Sequence, residues 1–205
     1  NVKKAKPLYE GHQQPLTPLN NNYYDMTNIE TIKGQAKLAK THGSYGFCYY
    51  HYWFNGKLLM EKPCELLLKH PEIDQKYCMC WANETWARTW DGKDTDILIK
   101  QEFGGREDWD EHIKYLMPFF KDKRYIKVEG KPVMFFYSCS RIKKFNEMIE
   151  YWNLKLAEEG LSSIHVGEFV NSFNNGKNDI NSDVLVEFDP HCASRYSISN
   201  IMKAK

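Results

Sequence analysis

The sequence has no apolar run approaching the roughly 20 residues that cross a bilayer, and none of its six cysteines forms a Cys-x-x-Cys pair. It also has almost no net charge, since 28 basic residues against 27 acidic ones leave a formal +1. The first absence argues against a membrane-spanning helix. The second argues against zinc ligation or a disulfide framework. The third removes the electrostatic reason to expect nucleic acid or an anionic membrane as partner. The leading Asn1-Val2-Lys3-Lys4 is polar and has no apolar h-region, so no signal peptide is expected. The first residue is not Met, so the natural N-terminus is expected upstream.

Other motifs are also missing. No GxGxxG or P-loop follows a strand-like run, which weakens a nucleotide-binding, doubly wound reading. No G-x-S-x-G context supports a serine triad. No His, Cys and Asp spacing matches a metal site. No metal or organic cofactor is therefore expected. Cys48, Cys78, Cys80 and Cys139 sit inside apolar, strand-like runs. Buried reduced thiols explain them best, and suit a cytoplasmic location.

Aromatic residues are abundant: 13 Tyr, 11 Phe and 6 Trp make up 15% of 205 residues. Many stand in polar company. That bias suits a site that stacks the flat faces of sugars, and it equally suits a Tyr-rich core. The length fits a single domain with a sizeable core.

Residues 1–26 carry Pro7, Pro15, Pro18 and an Asn20-Asn21-Asn22 run, and read as an irregular leading segment. Thr27-Asn28-Ile29-Glu30 is a capping-box pattern opening a helix that Gly43 stops. Ser44–Phe54 reads as an aromatic strand bounded by Asn55-Gly56, and Leu58–His70 as a helix ended by Pro71. Lys76–Glu84 is a second strand, and residues 85–105 a loop rich in Trp and charge. Arg106–Lys121 carries Trp109, Ile113, Leu116, Met117 and Phe120 on one face, a helix that Pro118 should kink or end. Val133–Cys139 reads as an apolar strand, Lys143–Gly160 as an amphipathic helix, and Ser163–Val170 and Val184–Phe188 as strands. Alternating strands and helices imply a parallel sheet with helical crossovers, covered on both faces. A (β/α)8 TIM-type barrel is the best fit, and the five visible strands make it incomplete, because a full barrel takes about 250 residues.

Barrel ligands meet the carboxyl ends of strands. The strongest candidate there is Trp81-Ala82-Asn83-Glu84-Thr85-Trp86-Ala87-Arg88-Thr89-Trp90-Asp91. Glycosyl chemistry needs a carboxylate as acid, base or nucleophile, with aromatic and hydrogen-bonding groups to hold the ring. Glu84 is the first choice for that carboxylate; the plainer alternative pairs it with Arg88 at a capped strand end. Asn83 would bind a substrate hydroxyl or orient Glu84, Arg88 would bind an anion through its planar fork, and Asp91 is a ligand or a turn residue before Gly92. In Tyr49-Tyr50-His51-Tyr52-Trp53-Phe54, alternation places Tyr49, His51 and Trp53 on one side and Tyr50 and Tyr52 on the other. His51 is expected on the barrel interior, as acid/base, sugar ligand or structural imidazole. Glu187-Phe188-Asp189-Pro190-His191 ends the last strand, with Glu187 as second carboxylate and His191 as a sugar ligand, or simply as a strand-end turn. Glu168 is a weaker candidate: a charge in an apolar strand needs a partner or a polar lumen. His42, His70 and His112, and the cluster Lys121-Asp122-Lys123-Arg124, read as solvated surface.

Four blocks carry a resemblance: Gly46–Pro63 (GFCYYHYWFNGKLLMEKP), Cys80–Gly92 (CWANETWARTWDG), Phe119–Tyr137 (FFKDKRYIKVEGKPVMFFY) and Glu187–His191 (EFDPH). In that order they resemble the WbsX-like family, whose members are described as glycosyltransferases of bacterial surface polysaccharide (O-antigen or capsule) assembly. The family is related in fold to the family-99 glycoside hydrolases, the endo-α-mannosidases, which are (β/α)8 barrels. The resemblance implies a retaining-type sugar site, with Glu84 as main carboxylate, Glu187 as partner, and Tyr50, His51, Trp81, Asn83, Trp86, Arg88, Asp91 and His191 around the sugar. The partner it implies is a glycan or sugar donor, alongside polysaccharide-assembly proteins. Two departures stand out: Thr85 where the family has Asn, and Asp189 where it has Pro. Family members also begin before Asn1 and continue past Lys205, through strands that could supply a catalytic carboxylate. Two rival readings stand beside the transferase: an endo-acting retaining hydrolase and a non-catalytic carbohydrate-binding module. Barrel chemistry of another kind is a further alternative, since fold does not fix function.

Overall fold

A computed structural model of the chain describes residues 4–88, 93–170 and 180–187. Ile29–Thr41 forms helix α1. Its cap is Asn28, whose side chain accepts from the Glu30 amide, one residue later than the capping box suggests. Gly46–Phe54 is strand β1. Asn55 and Gly56 come next with positive φ (47° and 84°), the tight turn that Asn-Gly favours between antiparallel strands. It folds Lys57–Leu59 back on β1 as β2, pairing Phe54 with Lys57 and Tyr52 with Leu59. Hence the helix expected from Leu58 starts only at Lys62, where Pro63 fits the first turn, and α2 is Lys62–Lys69.

Strand β3 is Lys76–Trp81. The stretch expected as a loop contains an antiparallel pair, β4 (Trp86–Arg88) and β5 (Lys93–Ile99). Helix α3, Arg106–Lys121, runs through Pro118 instead of stopping there. Pro118 lies in the last turn, and burial of Leu116, Phe119 and Phe120 outweighs the one hydrogen bond it removes. Then come the short β6 (Lys127–Val128), β7 (Lys131–Phe136), α4 (Phe145–Glu158), β8 (His165–Val170) and β9 (Val184–Glu187).

The main sheet is parallel in the order β1-β3-β7-β8-β9, with β2 on the β1 edge and β6 beside β7. Each parallel strand lies next to its predecessor and the order never reverses among the described residues. A doubly wound sheet would carry a reversal, and with it a switch point.

Side-chain alternation separates two faces. One face meets the helices: Trp81 stacks on Trp152 of α4, and Phe136 lies edge-on to Phe145. Met79, Met134 and Val166 complete this layer, all at most 2% exposed. The opposite face carries Cys48, Tyr50, Tyr52, Phe135 and Phe169. Gly167 belongs there because a Cβ on it would lie 2.2 Å from the Phe135 ring, which packs instead on Phe169 at 5.3 Å.

Tyr49, His51 and Trp53 do share one side, but it is the helix side. His51 is buried and its Nε2 lies 2.7 Å from Nε2 of His112 on α3, so one ring donates to the other. His112, read from the sequence as solvated, is 1% exposed. Trp53 stacks flat on it at 4.4 Å, and Trp81 and Trp152 meet it edge-on. The expectation of His51 on the barrel interior is therefore corrected. Arg124 is also corrected, from surface to core. It pairs with Asp122 at 2.6 Å and donates to the carbonyls of Leu67, His70 and Ile73, satisfying the end of α2 at the entrance to β3.

Burial holds the His51 imidazole down to about 3, from an ordinary 6.5. Burial, with the His51 charge adding to it, holds His112 well below the usual range. The unfolded chain takes up these protons near pH 6.5 and the folded protein does not. Stability from this pair is thus complete above pH 6.5 and drains away as pH falls toward 3. We expect the urea midpoint to drop below pH 6.5, with a slope of up to ~1.4 kcal/mol per pH unit for each imidazole. Imidazole NMR resonances of the folded protein should show neither ring titrating between pH 8 and 5. A normal titration of either ring would refute the buried neutral pair.

Candidate active site

The carboxyl ends of β1, β3 and β7 are fastened to each other by backbone bonds. The Ala82 amide donates to the His51 carbonyl at 3.0 Å, and the Tyr137 amide to the Trp81 carbonyl at 3.0 Å. Just beyond, Asn83 is fully buried. Its Nδ2 donates to the Ser138 carbonyl at 2.7 Å and its Oδ1 accepts from the Ser138 amide at 3.0 Å. This amide occupies both backbone groups of one residue, so Asn83 joins the segment after β3 to the segment after β7. These hydrogen bonds go to the protein backbone, and Glu84 is the next residue along.

Glu84 is part-exposed, and its Oε1 meets Arg141 Nη2 at 2.9 Å. Arg141 ends the 3-10 turn Cys139–Arg141 that lies beyond β7. Arg88, the partner the sequence suggests, instead pairs with Asp96 at 3.4 Å. Trp86 packs edge-on against Tyr52 at 5.2 Å and Phe54 at 5.5 Å. Tyr50 lies 6.2 Å from Tyr52. Burial pushes the Tyr50 hydroxyl up to about 12, so it stays a neutral donor at physiological pH. The Thr85 hydroxyl, at the position of the family's Asn, accepts from the Gln101 amide at 3.1 Å. Gln101 Nε2 donates to the Trp53 carbonyl, while its buried Oε1 has no partner among the described residues.

The structure thus gathers Glu84, Arg141, Trp86, Tyr50, Tyr52 and Gln101 about the ends of β1 and β3. Arg141 and Gln101 are not visible as candidates in the sequence. Arg141 lies in a short turn without a motif, and Gln101 in a stretch that reads as loop. Two expected sugar ligands do not belong with the group. Trp81 is 1% exposed and its indole donates to the Trp53 carbonyl; His51 is locked on His112. Both are core residues, because the face they occupy is the one the helices cover.

Glu187 is exposed at the end of β9, paired in register with Val170. Three strand spacings separate β9 from β3, about 14 Å along the sheet. Glu168 is 1% exposed and shares a register row with Phe136. The Cys139 thiol is pushed up by burial and by the charge of Glu168. Asp91 and His191 lie outside the described residues. Among the described residues no cluster of three or more His, Cys, Asp or Glu side chains could hold a metal ion, and no helix is long and apolar enough to cross a membrane.

The profile of the family described as "Glycosyltransferase WbsX" matches residues 1–205. The chain belongs to the glycosyltransferase WbsX family. The protein WxcX of Xanthomonas campestris pv. campestris, in each of two strains, is 32% identical over 200 residues, 97% of this chain. The chain spans 28% of the length of those relatives. A solved structure described as "Glycoside hydrolase-like protein" superposes with a TM-score of 0.56 at 11% identity. It covers 84% of this chain and 55% of the other, a likeness of fold.

Two substitutions distinguish the buried amide bridge from the part-exposed ion pair. Asn83→Ala leaves the buried Ser138 amide and carbonyl unpaired and should lower stability by about 2–4 kcal/mol in urea denaturation. Arg141→Met breaks only a part-exposed ion pair and should change stability by less than ~1 kcal/mol. Equal effects from the two would contradict this division.

Proposed function

We propose that this chain is part of a carbohydrate-active enzyme working on glycosidic bonds, with Glu84 as its principal carboxylate. The observation that carries the reading is the ion pair of Glu84 with Arg141 at the carboxyl edge of the parallel sheet, two residues along the chain from Trp86, which packs on Tyr52. A part-exposed ion pair contributes little to stability, so the fold does not depend on it. Arg141 Nη2 engages Oε1 of this part-exposed carboxylate. A carboxylate so held can stabilise developing positive charge at an anomeric carbon, attack it, or activate a hydroxyl.

The strand order supports a barrel. Right-handed crossovers between strands that advance in one direction put every helix on one side of the sheet. Such a sheet curls until its first and last strands meet, as in a (β/α)8 barrel. Curvature is also what Glu187 needs to serve as second carboxylate. Retaining pairs stand about 5–5.5 Å apart and inverting pairs about 6.5–9.5 Å, well short of about 14 Å along a flat sheet. Asp91 and His191 remain proposed sugar ligands with Tyr50, Trp86 and Arg88.

Family membership supports glycosyl transfer in bacterial surface polysaccharide assembly, with a glycan or sugar donor as substrate and other assembly proteins as partners. Free thiols at Cys64, Cys78, Cys80 and Cys139 suit a reducing, cytoplasmic setting. The fold of the glycoside hydrolase-like structure favours a second reading, hydrolysis by an endo-acting retaining enzyme.

The test is turnover by the full-length protein on a panel of α-mannosides and bacterial polysaccharides, with sugar donors supplied or withheld. Glu84→Gln should lower kcat by about a hundredfold or more with circular dichroism unchanged. Turnover that needs a donor identifies the transferase; turnover in water alone identifies the hydrolase. Glycan binding without turnover in the parent would make the domain a carbohydrate-binding module, and full activity in Glu84→Gln would remove Glu84 from the chemistry.

A further inference from the structure

We propose that Cys48 and Cys78 form a reversible dithiol–disulfide pair, oxidised by hydrogen peroxide, on the sheet face opposite the helices. The two residues are register partners on the neighbouring parallel strands β1 and β3. Their side chains therefore leave the sheet on the same side, the side that also exposes Tyr50. Strand spacing of about 4.8 Å lies within the roughly 4.4–6.8 Å between Cα atoms that a disulfide spans.

Their surroundings are unequal in the way the chemistry needs. Cys48 is exposed and Cys78 is buried. The neighbouring Cys78 thiol holds the Cys48 thiol below its usual range, against partial burial. The Cys48 sulfur, and then burial, pushes Cys78 well up. Thiolate character, exposure and an adjacent resolving thiol are the marks of a redox-responsive cysteine. The other described cysteines lack them. Burial pushes Cys64 up to about 12, and Cys80 and Cys139 are buried and raised as well.

In the first step the Cys48 thiolate attacks the peroxide. An S–O bond forms, the O–O bond breaks, and the departing hydroxide takes a proton to become water. Cys48 is then a sulfenic acid. In the second step the Cys78 sulfur attacks the Cys48 sulfur. The S–S bond forms, the S–O bond breaks, and the hydroxide leaves as water with the Cys78 proton. Two thiols are oxidised by two electrons and one peroxide is reduced to two waters.

The experiment treats the reduced full-length protein with a small excess of hydrogen peroxide, blocks remaining thiols, and maps peptides without reduction. A Cys48–Cys78 cross-linked peptide is expected, with an intact mass lower by about 2 Da and full reversal by dithiothreitol. Cys48→Ser should abolish the cross-link. Cys78→Ser should trap the sulfenic acid, read as a dimedone adduct on Cys48. Phenylarsine oxide, which bridges closely spaced thiols without an oxidant, should bind the parent and not Cys48→Ser. Absence of the cross-linked peptide, a link from Cys48 to any other cysteine, or arsenical binding that survives Cys48→Ser would overturn the proposal.

Discussion

The candidate site depends on one side-chain amide. Asn83 returns two hydrogen bonds to Ser138 from within the protein interior, donor to carbonyl and carbonyl to amide. Two segments that leave the ends of β3 and β7 are thereby fixed in mutual register where no ladder can hold them. Glu84 is the next residue along one segment, and Arg141 lies three residues past Ser138 on the other. Their ion pair is a consequence of the amide bridge, since without it two long side chains would have to find each other from unanchored loops. The Asn amide carries a donor and an acceptor side by side on one carbon, and its stem, shorter than that of Gln, leaves fewer torsions to fix. Aspartate would keep the acceptor and put a like-charged oxygen against the Ser138 carbonyl.

Behind this bridge stands a densely aromatic wall. His51, His112, Trp53, Trp81 and Trp152 interlock by stacked and edge-on contacts between the sheet and helices α3 and α4. Polar atoms inside such a wall must be paired, because an unmet donor costs more than a made bond returns. Each one named is met: His51 with His112, the Trp53 indole with Asp108, the Trp81 indole with the Trp53 carbonyl, and the Trp152 indole with the Trp109 carbonyl. The wall therefore carries its polarity inward and presents an immobile back to the strand ends. A site built on this sheet edge inherits that rigidity, which is what positioning a carboxylate requires.

Much of this is legible in the sequence. Periodicity locates helices α1 to α4 within a few residues and the five parallel strands in their order, since apolar spacing and Gly or Pro punctuation depend on local geometry. Three local features mislead for reasons that are themselves physical. Asn55-Gly56 reads as the end of a strand, although that dipeptide also closes a hairpin, and so β2 is absorbed into a helix. Pro118 carries a helix-breaking weight that tertiary burial of its neighbours overrides. Arg124 looks like surface because the carbonyls it donates to, those of Leu67, His70 and Ile73 at and just past the end of α2, lie more than 50 positions away.

The deeper difficulty concerns faces. Alternation in Tyr49–Phe54 correctly sorts the side chains into two sets, yet it cannot say which set faces the helices, because both sets are aromatic. A strand half-buried against solvent usually shows polar residues on its outer side, but Gly46–Phe54 carries aromatic side chains on both. In such a strand a histidine or a tryptophan gives no sign of its direction. His51 and Trp81 are therefore assigned to the ligand, while the residue that touches Glu84, Arg141, sits in a turn that draws no notice. Glu84 stands out because its position requires no choice of face: it lies past the end of β3, where alternation no longer applies and the strand end alone brings a side chain to the edge of the sheet. Residues just beyond strand ends are for that reason the most trustworthy site candidates in a sheet of this kind, and residues within the strands need the packing before they can be assigned.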